Sequence, residues 1–243
     1  MKQKVCWSII VIASAYLLGM ITYRNDLFPL NAYRYFEKVD SPLNDNNIDC
    51  PSTDDRPGVP IATLNKYTNF SQLGALIGDS VIEGVYDPRY YGLDRWVPVA
   101  LSGQMTHCFL EEINNYTALE PQHTFLYLGG NDLDKERDTD LICRDYEKIV
   151  ATFQQKDLPL TISEIHYGLD SRRKRISVQQ VNKCINEIGN KFNLKVIPTP
   201  NQLGFNDKEE ALLYSRDGEH LNHEGYALWM TNLKKQLPKI VSE

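Results

Sequence analysis

Ala75-Leu76-Ile77-Gly78-Asp79-Ser80-Val81 is an apolar run that breaks into a Gly-Asp-Ser turn. A hydrophobic strand ending in such a turn, where a helix should begin, sets the serine hydroxyl at the carboxyl rim of an α/β sheet, where ligands gather. Ser80 is on that ground a candidate nucleophile. Gly, Asp and Ser are each favoured in turns for local reasons, so the triplet gains weight only from what surrounds it.

Downstream, short apolar runs alternate with helical periods. Leu73 to Ile77, Trp96 to Leu101, Thr124 to Leu128, Leu158 to Ile165 and Leu194 to Ile197 read as strands. Val178, Val181, Ile185, Ile188 and Phe192 follow a three-four spacing that gives a helix one apolar face. Leu141, Ile142, Ile149, Val150 and Phe153 form a second stripe, and Tyr226, Met230, Leu233 and Leu237 a closing helix. Strands alternating with helices predict a parallel sheet covered on both faces. Pro98 has no N–H to give to a ladder, which puts the second strand at a sheet edge.

Three further stretches lie at strand ends or beyond them: Ala100-Leu101-Ser102-Gly103-Gln104-Met105-Thr106, Leu126-Tyr127-Leu128-Gly129-Gly130-Asn131-Asp132 and Asp217-Gly218-Glu219-His220-Leu221-Asn222. With Gly-Asp-Ser they resemble, in order and type, the four sequence blocks of the SGNH (GDSL) hydrolase family, over roughly Leu73 to Leu237. The resemblance implies a flavodoxin-like three-layer α/β/α fold with a five-stranded parallel sheet in the order 2-1-3-4-5. Ser80 and Asn131 would then stand at the switch point of the winding. It also implies an oxyanion hole made of the Ser80 N–H, the Gly103 N–H and the Asn131 side-chain amide. Glycine allows close backbone approach, and a neutral amide donates without the desolvation cost of a cation.

A serine hydroxyl needs a base to attack a carbonyl, and a histidine needs an acceptor on its other nitrogen. Asp217 and His220 are three apart, which on a helical turn puts both on one side, so the pair can assemble locally beside Ser80. Asp79 is expected to brace the serine turn. His166, after the fourth strand, is a candidate pocket residue or alternative base, with capping or solvent contact as its plainer role. His107 and His123 read as structural or exposed. His223, Glu219 and Glu224 flank the pair without a third ligand at metal-site spacing, so neither metal nor organic cofactor is expected.

The amino terminus differs in character. Lys2 and Lys4 precede Val5 to Thr22, an uncharged apolar run, and Arg24 follows. As a helix it is about 27 Å long, close to the roughly 30 Å of a bilayer core. An uncleaved signal anchor over residues 1–24 is expected; the rival is a cleaved signal peptide with Ala13-Ser14-Ala15 as its small-residue site. The basic residues before the span lean toward an inside amino terminus, placing the remainder outside the cytoplasm. Residues 25–69, rich in Asn, Asp, Pro and Ser toward their middle, read as a stalk or wrapping segment, and 70–243 as the catalytic domain.

The chain of 243 residues has a net charge of −6, and removing its basic first 24 leaves 23 basic against 32 acidic residues, a net of −9. Such a surface disfavours nucleic acid as a partner. Beyond Cys6, Cys50, Cys108, Cys143 and Cys184 permit two disulfides in any of three pairings, or serve as buried small hydrophobes. Asn69-Phe70-Ser71 and Asn115-Tyr116-Thr117 are glycosylation sequons if the source is eukaryotic. Between Ser80 and the second strand, Tyr86 to Trp96 is aromatic and polar at once, suited to stacking on sugar rings or to packing over the edge strand.

The expected function is therefore a membrane-anchored, extracytoplasmic serine esterase acting through an acyl-enzyme on O-acyl, in particular O-acetyl, groups of an envelope or exported polysaccharide. Lipid-directed esterase or thioesterase action, O-acyl transfer, and a non-catalytic glycan-binding module remain open alternatives.

Overall fold

The structure is a computed structural model that describes residues 49–51, 69–168, 175–199 and 212–241. The expected anchor over residues 1–24 and almost all of the 25–69 segment lie outside the described residues. Among the described residues no helix is long and apolar enough to cross a membrane.

Five strands, β1 Gly74–Gly78, β2 Trp96–Ala100, β3 His123–Tyr127, β4 Leu160–Ser163 and β5 Lys195–Ile197, form one parallel sheet in the order β2-β1-β3-β4-β5. Each starts or ends within three residues of the apolar run that foretold it. β1, at the centre of the winding, pairs with both β2 and β3 and is buried along its whole length. β2 pairs only with β1, so the N–H that Pro98 lacks falls where no second neighbour needs it.

The described helices are α1 Ser80–Glu83, α2 Thr106–Glu111, α3 Ile113–Thr117, α4 Gly130–Asp134, α5 Thr139–Gln155, α6 Arg175–Phe192 and α7 His223–Gln236. The stripes read from spacing are the buried faces: Ile142, Ile149, Val150 and Phe153 on α5, and Val178, Val181, Ile185 and Ile188 on α6. Tyr226, Met230 and Leu233 of α7 are buried with Leu237 just beyond it. Trp229 of α7 meets Phe125 and Tyr127 of β3 edge-on, with ring centroids 6.2 and 5.5 Å apart. Burial of such side chains stabilises by about 1.5–3 kcal/mol each, so α7 is pinned by its core face.

Two glycines matter to the carboxyl end of the sheet. A Cβ on Gly78 would lie 2.4 Å from Ile82 and 2.6 Å from the Tyr127 carbonyl, so only glycine lets α1 turn back against β1 and β3. Gly103, in the turn closed by the Gln104 N–H on the Leu101 carbonyl at 3.0 Å, has φ 79°, a conformation that a side chain would strain.

The cysteines pair as Cys50–Cys108 and Cys143–Cys184, with Cα atoms 5.5 and 6.0 Å apart. The first joins the segment ahead of the domain to α2, and the second joins α5 to α6. His107 Nε2 lies 3.7 and 3.3 Å from the sulfurs of Cys50 and Cys108, the one group of metal-capable donors found together among the described residues, but both sulfurs are bonded to each other.

Candidate active site

Four chain segments make up the site: those that follow the carboxyl ends of β1, β2 and β3, and the turn that carries Asp217 and His220. The nucleophile turn is built by the sheet. Gly78 ends β1, and Asp79 caps α1 by accepting the Val81 N–H at 2.9 Å, which places Ser80 at the first helical position. There its own N–H has no intrahelical acceptor. Asp79 is buried while Ser80 is partly open to solvent, so the carboxylate supports the turn from beneath.

Asn131 opens α4 after β3 and donates its amide to Asp79 Oδ2 at 3.1 Å and to the Gln104 carbonyl at 3.2 Å. Asp79 thus ties the serine turn to the asparagine, and Asn131 ties both to the Gly103-bearing turn. The two protons of the amide already have acceptors in this geometry, so donation to a third oxygen must re-aim or share one of them.

Asp217 and His220 are not on a helix, as their spacing suggested. They sit in a tight turn between Tyr214 and Leu221, which form an isolated antiparallel bridge. The Ser215 N–H reaches the His220 carbonyl at 2.8 Å and the Gly218 N–H the Ser215 carbonyl at 3.1 Å. α7 begins only at His223, capped by Asn222, whose side chain accepts the Gly225 N–H at 2.9 Å. Asp217 satisfies its own turn first: Oδ1 accepts from Ser215 Oγ at 2.6 Å and from the N–H groups of Glu219 at 2.9 Å and His220 at 3.0 Å. A helix would have used those N–H groups differently.

The turn carries His220 onto the serine. His220 Nδ1 is 2.8 Å from Asp217 Oδ2, and His220 Nε2 is 2.8 Å from Ser80 Oγ. The carboxylate can only accept, so Nδ1 bears the proton and Nε2 is the acceptor for the Ser80 hydroxyl. The Asp217 hydrogen bond raises the imidazole's pKa above its ordinary value against the opposing effect of burial, and the fields of Asp217, Asp79 and Glu219 add to the rise. For Asp217, burial pushes upward, but the bonds from His220, Ser215 and the two backbone N–H groups outweigh it and hold the carboxyl well below the usual range.

Beneath the site lies a buried ion network not apparent from the sequence. Asp132 accepts from the Thr106 N–H at 2.9 Å, the Thr106 hydroxyl at 2.7 Å and Arg137 Nη1 at 3.1 Å. Arg137 Nη2 continues to Asp145 Oδ2 on α5 at 2.5 Å. Burial pushes the Asp132 pKa upward against the Thr106 and Arg137 bonds, whereas at Asp145 the bonds from Arg137 and Arg144 overcome burial and lower it. Through Thr106 the network fixes the Gly103 turn to α4. Asp132 and Arg137 stand in a run of charged residues, and nothing local marks the two as turning inward.

His166 is not solvent-exposed, and the imidazole that meets Ser80 is that of His220. His166 is buried, with its Nδ1 at the Tyr127 hydroxyl and its Nε2 2.6 Å from the Glu219 carbonyl. His123 is half-buried, its Nε2 2.8 Å from Thr161 Oγ1, and burial lowers its pKa to about 4. His223 and Glu224 are exposed in the first turn of α7. In the aromatic loop the outcome is divided. Leu93 and Trp96 are buried and Tyr91 packs on the core, but Tyr86 and Tyr90 are 88% and 87% exposed. Tyr86 also has φ 53°, and Tyr226 of α7 donates its hydroxyl to the Val81 carbonyl of α1 at 2.9 Å.

Comparison with known proteins agrees with this architecture. The chain is similar to a GDSL-like lipase from Bacteroides thetaiotaomicron at 17% identity and a TM-score of 0.62, covering 72% of this chain and 94% of that one. It is similar to an acetyl xylan esterase at 14% identity and a TM-score of 0.60, covering 68% and 100%. A third similar structure, described as a putative platelet activating factor from Streptococcus pneumonia, has 21% identity and a TM-score of 0.64, covering 72% and 88%. These likenesses speak for the fold. No curated protein sequence matches the chain. The profile of the GDSL-like lipase/acylhydrolase family matches residues 76–228, well over half of the chain and all four segments of the site. The chain belongs to that family and is a serine hydrolase of carboxylic esters.

Proposed function

We propose that the protein is an O-acyl, in particular O-acetyl, esterase of carbohydrate, with Ser80 as nucleophile, His220 as general base and acid, and Asp217 as its orienting carboxylate. The observation that carries the reading is the continuous relay of Asp217 Oδ2, His220 and Ser80 Oγ through two contacts of 2.8 Å. Ser80 Oγ attacks the ester carbonyl carbon as its proton passes to His220 Nε2, and the carbonyl oxygen takes the negative charge. On collapse the C–O bond to the leaving alcohol breaks, and Nε2–H returns the proton to that alcohol. Water repeats the sequence on the acyl-serine and frees Ser80 and the carboxylic acid.

The oxyanion would be met by the N–H of Ser80, the N–H of Gly103 and the amide of Asn131. Such donors are worth about 3–4 kcal/mol each when aimed at the developing charge. Release of the longer Asn131 bond, to the Gln104 carbonyl, is the smaller rearrangement that serves this, since the Asp79 bond also holds the nucleophile turn.

Support for carbohydrate comes from Tyr86 and Tyr90, which stand in solvent on the loop that leaves the nucleophile helix. A tyrosine in the left-handed region costs stability that glycine or asparagine would spare, and this one recovers nothing by packing. Ring faces held in water on the loop that follows the nucleophile helix suit a sugar acceptor. One similar fold is that of an acetyl xylan esterase. For location we propose an extracytoplasmic domain held by an anchor over residues 5–22; the two disulfides favour an oxidising compartment.

The test is turnover of nitrophenyl acetate, butyrate and octanoate and of acetylated xylan by the full chain, beside Ser80→Ala and His220→Ala. Acetate preference lost in both variants, with acetate released from the polymer and KM for the polymer raised by Tyr86→Ala more than KM for nitrophenyl acetate, supports the reading. A preference for octanoate moves the substrate to lipids, and full turnover in Ser80→Ala overturns the mechanism.

A further inference from the structure

His166 is a buried, ionisable ring that the proposed reaction does not use, yet both of its ring nitrogens are engaged. It follows β4 by three residues and is 1% exposed. Its ring stacks on Tyr127 at 5.8 Å between centroids and lies against Tyr214 at 5.6 Å. Nε2 is 2.6 Å from the Glu219 carbonyl oxygen, which can only accept. Nε2 therefore bears a proton, and Nδ1 of the neutral ring accepts the Tyr127 hydroxyl proton. The Tyr127 oxygen in turn accepts the His166 backbone N–H at 3.3 Å.

The Glu219 carbonyl belongs to the peptide unit whose N–H is that of His220. That N–H donates to Asp217 Oδ1 at 3.0 Å. One peptide plane is thus held at both edges, the oxygen by His166 and the hydrogen by Asp217. Rotating it would break both bonds and turn away the imidazole that faces Ser80. On its other side the tether ends at Tyr127, the last residue of β3, four residues before Asn131. A core strand and a half-exposed turn are connected through a single ring.

We propose that His166 is a positioning residue for the base: its Nε2–H fixes the Glu219–His220 peptide and thereby the aim of His220 at Ser80, a role that rests on the assignment of His220 as the base. A side chain that merely filled space would tolerate an aromatic of similar size. Misaiming by about 1 Å costs on the order of a hundredfold in rate.

The experiment compares His166→Phe, which keeps a ring without the donor, with His166→Gln, which keeps an N–H donor, and with Tyr127→Phe, which removes only the hydroxyl. All are measured in the full chain on nitrophenyl acetate as kcat, KM and the pH dependence of kcat/KM, alongside thermal unfolding. The expected result for His166→Phe is a kcat lower by roughly 10- to 100-fold with KM changed by less than about threefold, and an acid limb displaced toward lower pH as Asp217 loses its hold on His220. His166→Gln should recover most of the rate, and Tyr127→Phe should lose several-fold. Wild-type kcat and an unmoved limb in a folded His166→Phe overturn the proposal. So does a loss that follows unfolding alone and that Gln does not relieve; should the Phe variant fail to fold, a wild-type rate and an unmoved acid limb in folded Tyr127→Phe overturn the proposal in its place. Ser80→Ala and His220→Ala separate the two claims, because undiminished turnover in the first removes the nucleophile assignment and in the second the base assignment, whatever His166 does.

Discussion

Ser80 and His220 face each other across 2.8 Å but are held by different kinds of structure. The serine stands at the end of a strand buried on both faces, one residue beyond a carboxylate that caps the helix and grips Asn131. The histidine stands in a turn outside any helix or strand, with side chains 36% exposed for His220 and 45% for Asp217. On the first side, position is a by-product of folding the core. On the second it depends on a few hydrogen bonds: Ser215 to Asp217, two backbone N–H groups to the same carboxylate, and His166 to the Glu219 carbonyl. Damage to what supports the serine should therefore appear as lost stability, and damage to what supports the histidine as lost rate in a protein that still folds.

The largest effect expected is on chemistry alone. Ser80→Ala and His220→Ala should each lower kcat by roughly 10³- to 10⁶-fold while shifting stability by no more than about 0.5 kcal/mol, read by single-turnover kinetics and thermal melts. Comparable loss of stability in His220→Ala would mean that the turn is part of the core after all.

Asp217→Asn should come next, with kcat lower by about 10²- to 10⁴-fold. Its pH profile carries a sign. His220 acts as base only when neutral, and the Asp217 hydrogen bond raises its pKa, so the acid limb of kcat/KM in the wild type lies above the ordinary histidine value of about 6.5. Removing the charge should move that limb to lower pH. In stability terms, the raised His220 pKa contributes fully below about pH 6.5 and is lost as pH rises through the folded value. The lowered Asp217 pKa contributes above about pH 4 and is lost as pH falls through its folded value.

Arg137→Met tests the opposite side. It leaves Asp132 and Asp145 buried without their shared cation and should cost about 3–5 kcal/mol, read in urea unfolding. A cost below about 1 kcal/mol would mean that the network is solvated in the working protein. The smallest effect is at Tyr86, where Tyr86→Asn should raise stability by a few tenths of a kcal/mol, because asparagine accepts the left-handed backbone more readily. A fall in the melting temperature would show that the exposed ring packs on something.

The same contrast divides what could be read from the sequence. β1 to β5 were legible because a buried parallel strand is a short apolar run, and α5, α6 and α7 because their buried faces repeat with the helical period. The edge position of β2 followed from one proline. Ser80, Asn131 and Gly103 were legible as strand-end residues in a recognisable order. The helical reading of Asp217 and His220 failed because a spacing of three fits a helix and a tight turn equally, and Asp217 chose the turn by taking the N–H groups of Glu219 and His220. The inward turn of Arg137 and the tether at His166 depend on partners far away in sequence, and no local pattern announces them. Cysteine pairing was beyond spacing for the same reason.

The most direct test of the central claim, that His220 activates Ser80, is the rate and site of labelling by a monoalkyl fluorophosphonate, followed by intact mass and peptide mapping. The account predicts one adduct per chain, on Ser80, absent in Ser80→Ala and slowed at least a hundredfold in folded His220→Ala. Labelling at another residue, or at Ser80 at an unchanged rate without His220, would contradict it.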